Sequence, residues 1–426
     1  MARPRRNTAT AVAKADTAET VQAVKKESAV CAAEEKGTVS AAAQKDAACV
    51  SEKKGTAGAA CLLYTSGSYP LSSHASNMYE KARECIRDWI DAEYADEIVF
   101  TKGSTEAINL AACALFEAWV RPGDNVIVTE LEHSSNFFPW KHWCERSGAD
   151  FRVAEADKDG SLDAQAVLSL IDGRTKLVAV TAMSNVTGFR PSLDIMIREA
   201  HRQGARVLVD ASQEIVHQTV SVNQMECDFL CFSGHKLYGP MGTGVLYGKR
   251  EYLKEMPPYL YGGDMVEKGD TGIISYKTEP GKFEAGTQNI AGILGLEAAI
   301  TYLKEQGFDS LVRYEAELSV YARKRLGQLD GIHILGPDII SPVITLEAEH
   351  LGAYDLGVLL ANRGIAVRCG AHCAYPLIRR MGKESICRIS LAIYNTREEI
   401  DYMAEALEDI LGGFNGNCRG GKRSDC

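Results

Sequence analysis

Between residues 97 and 248, short apolar stretches alternate with segments of helical periodicity, and this alternation constrains the fold more than any other feature. The stretches that we interpret as strands are EIVFT, NVIVTE, KLVAVT, ARVLVD, DFLCFS and GVLYG. Apolar strands separated by amphipathic helices are typical of a mostly parallel sheet with both faces covered. The sequence therefore predicts an α/β fold for this part of the chain.

Composition predicts how the 426 residues divide into segments. Residues 1–62 contain no aromatic residue and hardly any leucine, so they bury too little apolar surface to offset ordering entropy, and we expect a disordered leader. A large domain is expected at 63–295 and a smaller α+β domain at 296–412. Glycine and charge dominate 413–426, which predicts a flexible tail.

Charge and hydropathy limit the classes of function. The net charge of −10 offers no electrostatic basis for binding nucleic acid. No apolar run approaches the ~20 residues that span a bilayer, so we expect no membrane segment. The N-terminus lacks the apolar stretch of a secretory signal, and the thirteen cysteines are scattered, which favours reduced thiols. We therefore expect a cytoplasmic protein.

Unusual polar residues follow the strands at their carboxyl ends, where ligands bind in open α/β sheets. The first strand leads into a helix N-terminus at Ser104 and Thr105, whose free N–H groups suit a phosphate. Later strands end at His133, Asn185, Asp210 with Gln213, and Ser233 with His235 and Lys236. Each residue alone is more often a cap or turn former, but together they predict one polar rim.

Pyridoxal 5'-phosphate (PLP) is a cofactor that uses this whole set of groups. It needs a lysine to bond its aldehyde, a carboxylate at its pyridine nitrogen, a flat group over its ring, and donors for its phenolate and phosphate oxygens. Lys236 is the predicted attachment point, and Ser233 and His235 are predicted to reach the phosphate. The segment GPMGTGVLYGK lacks the spacing of a nucleotide-binding P-loop or a dinucleotide fingerprint.

A second cluster, AVRCGAHCAYP, belongs to the smaller domain. A metal site is one alternative, because two cysteines and a histidine stand close together, but no second ligand pair is evident. A buried structural cysteine is another. An exposed loop position beside a histidine and Arg368 suits a reactive thiolate at Cys373, since nearby positive charge favours that form. In the later strand ICRISLAIYNT, Arg388 could grip a carboxylate with two hydrogen bonds.

On these motifs the chain resembles the fold-type-I PLP enzymes of aminotransferase class V, specifically the group II (SUF-type) cysteine desulfurases and the related selenocysteine lyases. The matching motifs are TKGSTEAINL, ELEHSSNFFPW, SNVTG, VDASQ, FSGHKLYGPMGTGVLYG, FEAGTQN, RCGAHCA and CRISLAIYNT. They span roughly residues 78 to 410 and imply a seven-stranded, mostly parallel sheet. The chain departs from the family at its front, where CLLYTSGSYPLSSH replaces the usual LD-A-A and HRG-x-H-like segments.

The resemblance implies a role for each residue of the rim. Lys236 would carry the cofactor and move protons, His133 would stack on the ring and assist proton transfer, and Asp210 would pair with the ring nitrogen. The other implied cofactor contacts are Asn185 and Gln213 near the phenolate oxygen, and Ser104, Thr105, Ser233 and His235 at the phosphate, joined by Thr287 from a second subunit. A homodimer is therefore implied.

The resemblance also implies the reaction. Arg388, with Arg368 and Asn185 close by, would bind the carboxylate of L-cysteine or L-selenocysteine. Cys373 would take the sulfur as a persulfide, release L-alanine, and pass the sulfur to a SUF-type acceptor or scaffold protein for iron–sulfur cluster assembly. A different class V lyase or aminotransferase, and a catalytically weak interaction protein of the sulfur pathway, are the alternatives. Cys418 and Cys426 could relay sulfur, although free tail cysteines are usually incidental.

Overall fold

The structure, a computed structural model, describes the backbone of residues 69–420 and the side chains up to residue 412. The expected disordered leader at 1–62 lies outside the described residues. The last helix continues to Gly420, so the backbone at 413–420 is helical where the sequence predicts a flexible tail. Helix-interior glycine costs only about 1 kcal/mol relative to alanine, which explains how the helix passes the glycines there. Residues 421–426 also lie outside the described part.

Within the described residues, seven strands form the central sheet, in the spatial order β1-β7-β6-β5-β4-β2-β3. The strands are β1 Ile98–Thr101, β2 Asn125–Thr129, β3 Asp150–Ala154, β4 Thr175–Thr181, β5 Arg206–Asp210, β6 Phe229–Ser233 and β7 Gly244–Gly248. Of these, β7 runs antiparallel to both of its neighbours, and the other pairings are parallel. The predicted mostly parallel seven-stranded sheet is confirmed.

Helices cover both faces of this sheet. They are α1 Pro70–Trp89, α2 Ser104–Ala118, α3 Phe138–Ser147, α4 Ala164–Leu168, α5 Leu193–Arg202, α6 Glu214–His217, α7 Val222–Met225, α8 Arg250–Glu255 and α9 Ile290–Gln306. Successive residues of a strand point to opposite faces. Along β4, Leu177 and Ala179 therefore pack into the core that α2 covers, whereas Val178 and Val180 pack into the core that α1, α5 and α9 cover. This double burial explains the continuous apolar runs of the sequence.

The strands and helices beyond the central sheet form a hairpin and a smaller α+β unit. The hairpin consists of β8 Val266–Gly269 and β9 Ile274–Tyr276. The smaller unit has an antiparallel sheet in the order β10-β11-β13-β12, with strands β10 Ile332–Leu335, β11 Val343–Ala348, β12 Arg368–Gly370 and β13 Ile386–Ser390. Its helices are α10 Phe308–Leu326, α11 Ala353–Ala361, α12 Tyr375–Arg380 and α13 Arg397–Gly420. The predicted boundaries between the domains stay predictions.

Helix α12 connects the smaller unit to the large one. Most of the smaller unit packs around its own core, to which α10 and α13 contribute. Leu377 and Ile378 of α12 instead join the core beneath the central sheet, together with Ala374. The loop before α12 is thereby held close to the large domain. Among the described residues, no helix is both long enough and apolar enough to cross a membrane.

Candidate active site

The carboxyl ends of the strands bring the predicted residues together. Asp210 is the last residue of β5 and Ser233 the last of β6, and Lys236 lies in the short 3₁₀ helix Gly234–Leu237 that follows. Lys236 interacts electrostatically with Asp210 and with two arginines of the smaller domain, Arg368 and Arg388. The predicted polar rim and the loop of the second cluster therefore form one site.

Lys236 is the candidate attachment point for an aldehyde. Burial lowers the pKa of its ammonium group, Asp210 opposes that effect, and Arg388 and Arg368 lower the pKa further. Among the described residues its Nζ has no hydrogen-bond or ion-pair partner. A lowered pKa increases the fraction of neutral amine, which is the form that attacks a carbonyl.

Ser104 and Ser233 form the floor of the predicted phosphate site. The Ser104 N–H donates to Ser233 Oγ at 2.9 Å, and the two hydroxyl oxygens are also 2.9 Å apart. A Cβ added at Gly244 would lie 2.3 Å from the Cα atom of Gly103, so the backbone packs there as only glycine allows. Thr105, which follows Ser104 in the first turn of α2, is exposed.

Among the described residues, His235 and Thr287 make no hydrogen bond with Ser104 or Ser233. His235 is an exposed residue one position before Lys236, and partial desolvation of its ring together with the nearby lysine lowers its pKa. Thr287 is exposed and lines a separate cavity of about 210 Å³ with Thr101 and Lys102. Within one chain, no hydrogen bond among the described residues joins Thr287 to the other predicted cofactor contacts.

Several buried polar atoms of the site have no hydrogen-bond partner among the described residues. They are Asn185 Oδ1, Ser212 Oγ and Arg388 Nε. Asp210, only 4% exposed, receives a hydrogen bond from the Ser212 N–H at 3.0 Å. Buried polar groups are rarely left unpaired, so this set indicates a polar ligand. A buried carboxylate, an amide and a free amine are the groups that PLP requires, and the residues present fit that cofactor.

Gln213, the other residue predicted near the phenolate oxygen, is half-buried and begins the turn of α6. Its side chain forms no capping hydrogen bond there. Among the described residues, no hydrogen bond joins its amide to another group, and its place beside the phenolate oxygen stays a prediction.

His133 is held as a neutral imidazole. Burial lowers the pKa of its ring, and the nearby Lys236 lowers it further. Its Nδ1 accepts a hydrogen bond from the Ser135 N–H at 3.2 Å and lies 2.7 Å from Ser135 Oγ. Because Nδ1 accepts from the amide, the ring proton of the neutral form resides on Nε2. The ring can therefore take part in proton transfer without a change in its position.

Glu132 is a buried residue of the site for which the sequence predicts no role. Its carboxylate accepts hydrogen bonds from Thr129 Oγ1 at 2.7 Å, Asn136 Nδ2 at 2.6 Å and the Thr181 N–H at 3.1 Å. Burial raises its pKa to about 8. This network fixes the turn that carries His133. A glutamate after a strand has no distinctive spacing, so the sequence offered no signal for it.

Cys373 lies in a loop of unusual backbone conformation. His372 and Cys373 have φ angles of 52° and 56°, in the left-handed region that costs residues other than glycine about 1–3 kcal/mol. Arg368 Nη2 lies 3.8 Å from Cys373 Sγ. His372 is buried, and its Nε2 donates to the Ile386 carbonyl oxygen at 3.2 Å. The thiol thus has a permanent cation beside it.

The large domain holds this loop through two backbone carbonyls. Ser134 donates from both its N–H and its Oγ to the carbonyl oxygen of Cys373, each at 2.7 Å. Asn185 Nδ2 donates to the carbonyl oxygen of His372 at 2.9 Å. Sequence reasoning missed Ser134, which resembles any polar turn residue.

Arg388 and Arg368 present two cations to the same space. They lie opposite each other in the pairing of β12 with β13. Arg388 Nη1 donates to the Asn185 carbonyl oxygen at 2.7 Å. Burial lowers the pKa of Arg388 to about 10, and the neighbouring Arg368 contributes to that shift. Two adjacent cations, one of them buried, favour an anionic ligand such as a carboxylate.

Comparisons with known proteins agree with this geometry. The family model for aminotransferase class V matches residues 39–403, and it begins inside the stretch expected to be disordered. The cysteine desulfurase of Pectobacterium atrosepticum is 45% identical over 346 residues, which cover 81% of this chain and 85% of that protein. The cysteine desulfurase of an Enterobacter species is 43% identical over 345 residues, with the same coverage of both chains.

Solved structures extend the comparison to the fold. A cysteine desulfurase from Escherichia coli superposes with a TM-score of 0.77 at 35% identity, over 81% of this chain and 86% of that one. A cysteine desulfurase from Thermococcus onnurineus has a TM-score of 0.78 at 33% identity, over 83% of this chain and 89% of that one. A mutant of the enzyme C-DES with glycine covalently linked to PLP shares the fold, with a TM-score of 0.71 at 22% identity over 80% and 88%.

The fold and the site together define a PLP-dependent enzyme of fold type I. The chain belongs to the aminotransferase class V family, and the two relatives described above are cysteine desulfurases.

Proposed function

We propose that this protein is a PLP-dependent cysteine desulfurase of the SUF type, which converts L-cysteine to L-alanine and keeps the sulfur as a persulfide on Cys373. The observation that carries this proposal is the position of Cys373. Its loop comes from the smaller domain, is held on the large-domain rim by Ser134 and Asn185, and has Arg368 Nη2 3.8 Å from the thiol sulfur.

The substrate carboxylate would bind to Arg388, with Arg368 beside it. A guanidinium can bind a carboxylate through two parallel hydrogen bonds, which fixes the orientation as well as the position of the substrate. Arg388 Nη1 is already oriented by the Asn185 carbonyl, and among the described residues its buried Nε has no hydrogen-bond partner.

Bound PLP supplies an electron sink, which acidifies the Cα proton of the substrate and weakens its Cβ–S bond. Asp210 would keep the ring nitrogen protonated. The amine of Lys236, whose pKa is lowered by burial, would accept the Cα proton at Nζ and return it later. His133, neutral at Nδ1, would lie against the ring and assist with proton transfer at Nε2.

Sulfur transfer would take place at Cys373. The thiolate attacks the substrate sulfur, so a Cys373 Sγ–S bond forms while the Cβ–S bond breaks. The electron pair of the broken bond stays with the alanyl fragment, which takes up protons to become L-alanine. No outside oxidant is needed, because the substrate carbon is reduced as the two sulfurs become a persulfide.

The partners of the reaction are part of this proposal. We infer a homodimer, in which the exposed apolar side chains of Met241, Ile273 and Ile274 would be available for burial between the subunits. In such a dimer Thr287 of one subunit would complete the phosphate site of the other. The persulfide would pass to a SUF-type acceptor in the cytoplasm. Whether L-selenocysteine is preferred over L-cysteine stays open to direct comparison of the two substrates.

The replacement of Cys373 by serine tests the proposal. Cys373→Ser should abolish sulfide release from L-cysteine in the presence of a reductant, because the sulfur acceptor is gone. The borohydride-reducible chromophore of the cofactor should remain, since Lys236 is intact. The matched control Cys113→Ser changes a half-buried cysteine on α2 and should retain both properties. Sulfide release by the Cys373→Ser protein at the parent rate would refute the assignment of this nucleophile.

A further inference from the structure

The turn that follows His133 grips the loop that carries Cys373. Ser134 donates two hydrogen bonds to one acceptor, the carbonyl oxygen of Cys373, from its N–H and from its Oγ, both at 2.7 Å. The two residues are 239 positions apart in the chain. A carbonyl oxygen has two lone pairs, so this acceptor is fully used by one residue.

The loop needs such a clamp because its backbone is strained. His372 and Cys373 are consecutive and both adopt left-handed φ angles. Residues other than glycine hold that conformation only where their surroundings impose it. Asn185 Nδ2 holds the carbonyl of His372, so donors of the large domain hold both strained residues. A cysteine side chain has a single torsion before its sulfur, so the backbone position limits the thiol to three staggered positions.

The same turn also carries the imidazole of the site. The 3₁₀ turn Ser134–Asn136 begins directly after His133, and His133 Nδ1 accepts from the N–H of Ser135. Glu132 stabilises the turn by accepting hydrogen bonds from Asn136 Nδ2 and from the Thr181 N–H. One short, buried turn therefore fixes the separation between the His133 ring and the Cys373 thiol.

We propose that Ser134 is a positioning residue for sulfur transfer, and that its hydroxyl keeps the Cys373 thiol within reach of the substrate sulfur. The proposal rests on the function proposed above. It adds to that function the group that sets the distance between Cys373 Sγ and the substrate sulfur. Ser134 does not contact the reacting atoms itself. It acts through the carbonyl of Cys373, so its loss affects the step at Cys373 and leaves the cofactor and Arg388 in place.

Three variants of the PLP-loaded protein test the proposal. Ser134→Ala removes the hydroxyl donor and should lower kcat for sulfide and alanine formation roughly tenfold, since small misplacements of reacting groups are costly. KM for L-cysteine and the absorbance of the cofactor should match the parent. Ser134→Thr keeps the hydroxyl and should restore kcat. The control Ser319→Ala removes a buried hydroxyl that donates to a carbonyl at the same 2.7 Å, in α10, and should keep the parent kcat.

Hydrogen exchange gives a readout that does not depend on turnover. Amides at 371–374 should exchange faster in Ser134→Ala than in the parent, Ser134→Thr or Ser319→Ala. The proposal would be overturned if Ser134→Ala kept the amide exchange of the parent or the kcat of the parent. It would also be overturned if Ser319→Ala lost as much kcat as Ser134→Ala. A parent protein that releases no sulfide would instead overturn the proposed function, whereas the exchange of 371–374 would still decide whether Ser134 holds the loop.

Discussion

His372 shows how burial determines the charge of a residue next to the reactive thiol. Its ring is buried, and burial lowers its pKa to about 4, with the nearby Arg388 contributing. The ring is therefore neutral at pH 7, donates from Nε2 to the Ile386 carbonyl, and adds no charge beside Cys373. The cation near the thiol is Arg368, whose Nη2 lies 3.8 Å from Cys373 Sγ.

Replacement of His372 should change how stability depends on pH. The unfolded chain binds a proton at this histidine near pH 6.5, whereas the folded protein does so only near pH 4. Stability from His372 is therefore fully present above about pH 6.5 and is lost as the pH falls towards 4. Between pH 7 and pH 4.5 the free energy of unfolding falls in both proteins. We expect the fall to be about 2–3 kcal/mol smaller in His372→Gln than in the parent.

Urea unfolding at the two pH values measures this difference. The control His142→Gln changes an exposed histidine and should keep the pH dependence of the parent. An identical pH dependence in the parent and in His372→Gln would show that burial does not hold this ring neutral.

The pairing of β1 with β7 brings two backbones unusually close. Gly244, the first residue of β7, lies opposite Thr101, and its Cα approaches Gly103 at the turn before α2. This contact places the N-terminus of α2 beside Ser233 at the end of β6. Gly244, the last glycine of GPMGTG, is therefore required by a contact between backbones.

A methyl group at Gly244 should disturb this contact. The added Cβ would lie 2.3 Å from Gly103 Cα, and neither backbone can move away without breaking the pairing of β1 with β7. We expect Gly244→Ala to destabilise the protein by about 1–3 kcal/mol and to weaken retention of the cofactor. Gly173→Ala is the control, because a Cβ there would meet nothing within 4 Å. Equal urea midpoints for the two variants would contradict the close approach.

At the scale of the whole molecule, the hairpin β8–β9 carries apolar side chains on an exposed surface. Ile273 is 76% exposed, and Ile274 and Met241 are exposed with it. Thr287 lies exposed nearby in sequence and lines the cavity beside Thr101 and Lys102. A second copy of the chain that covered this surface would explain why, among the residues that the structure describes, Thr287 makes no hydrogen bond with the predicted cofactor contacts of its own chain.

Introducing a charge into this surface should weaken the proposed dimer. We expect Ile273→Asp to raise the dissociation constant of the dimer at least about tenfold, because an unpaired carboxylate is costly in an interface. Sedimentation of the PLP-loaded protein over a range of concentrations measures it. Ile340→Asp, at a position 59% exposed in the smaller domain, should leave the dimer intact. Equal dissociation constants for the parent and for Ile273→Asp would show that the interface lies elsewhere.

The residues that sequence reasoning found share one property. Lys236, Asp210 and Ser233 each stand at or just after the end of an apolar strand, and a parallel sheet brings such ends to one edge. The apolar runs and their lengths are local properties of the chain, so the sheet and this half of the site could be predicted from them.

The contacts that complete the site depend on the tertiary structure. Ser134 meets the loop of Cys373 across 239 positions and Asn185 meets it across 187, and no local pattern marks either pair. The sequence by itself determined which elements form and which chemical groups stand at their ends, because strand and helix periodicity are short-range. Only the packing of the smaller domain on the large one decided that the loop of Cys373 is held by Ser134 and Asn185 and that Arg368 and Arg388 lie near Lys236. That is so because loop conformation and domain contact depend on atoms that are distant in the chain.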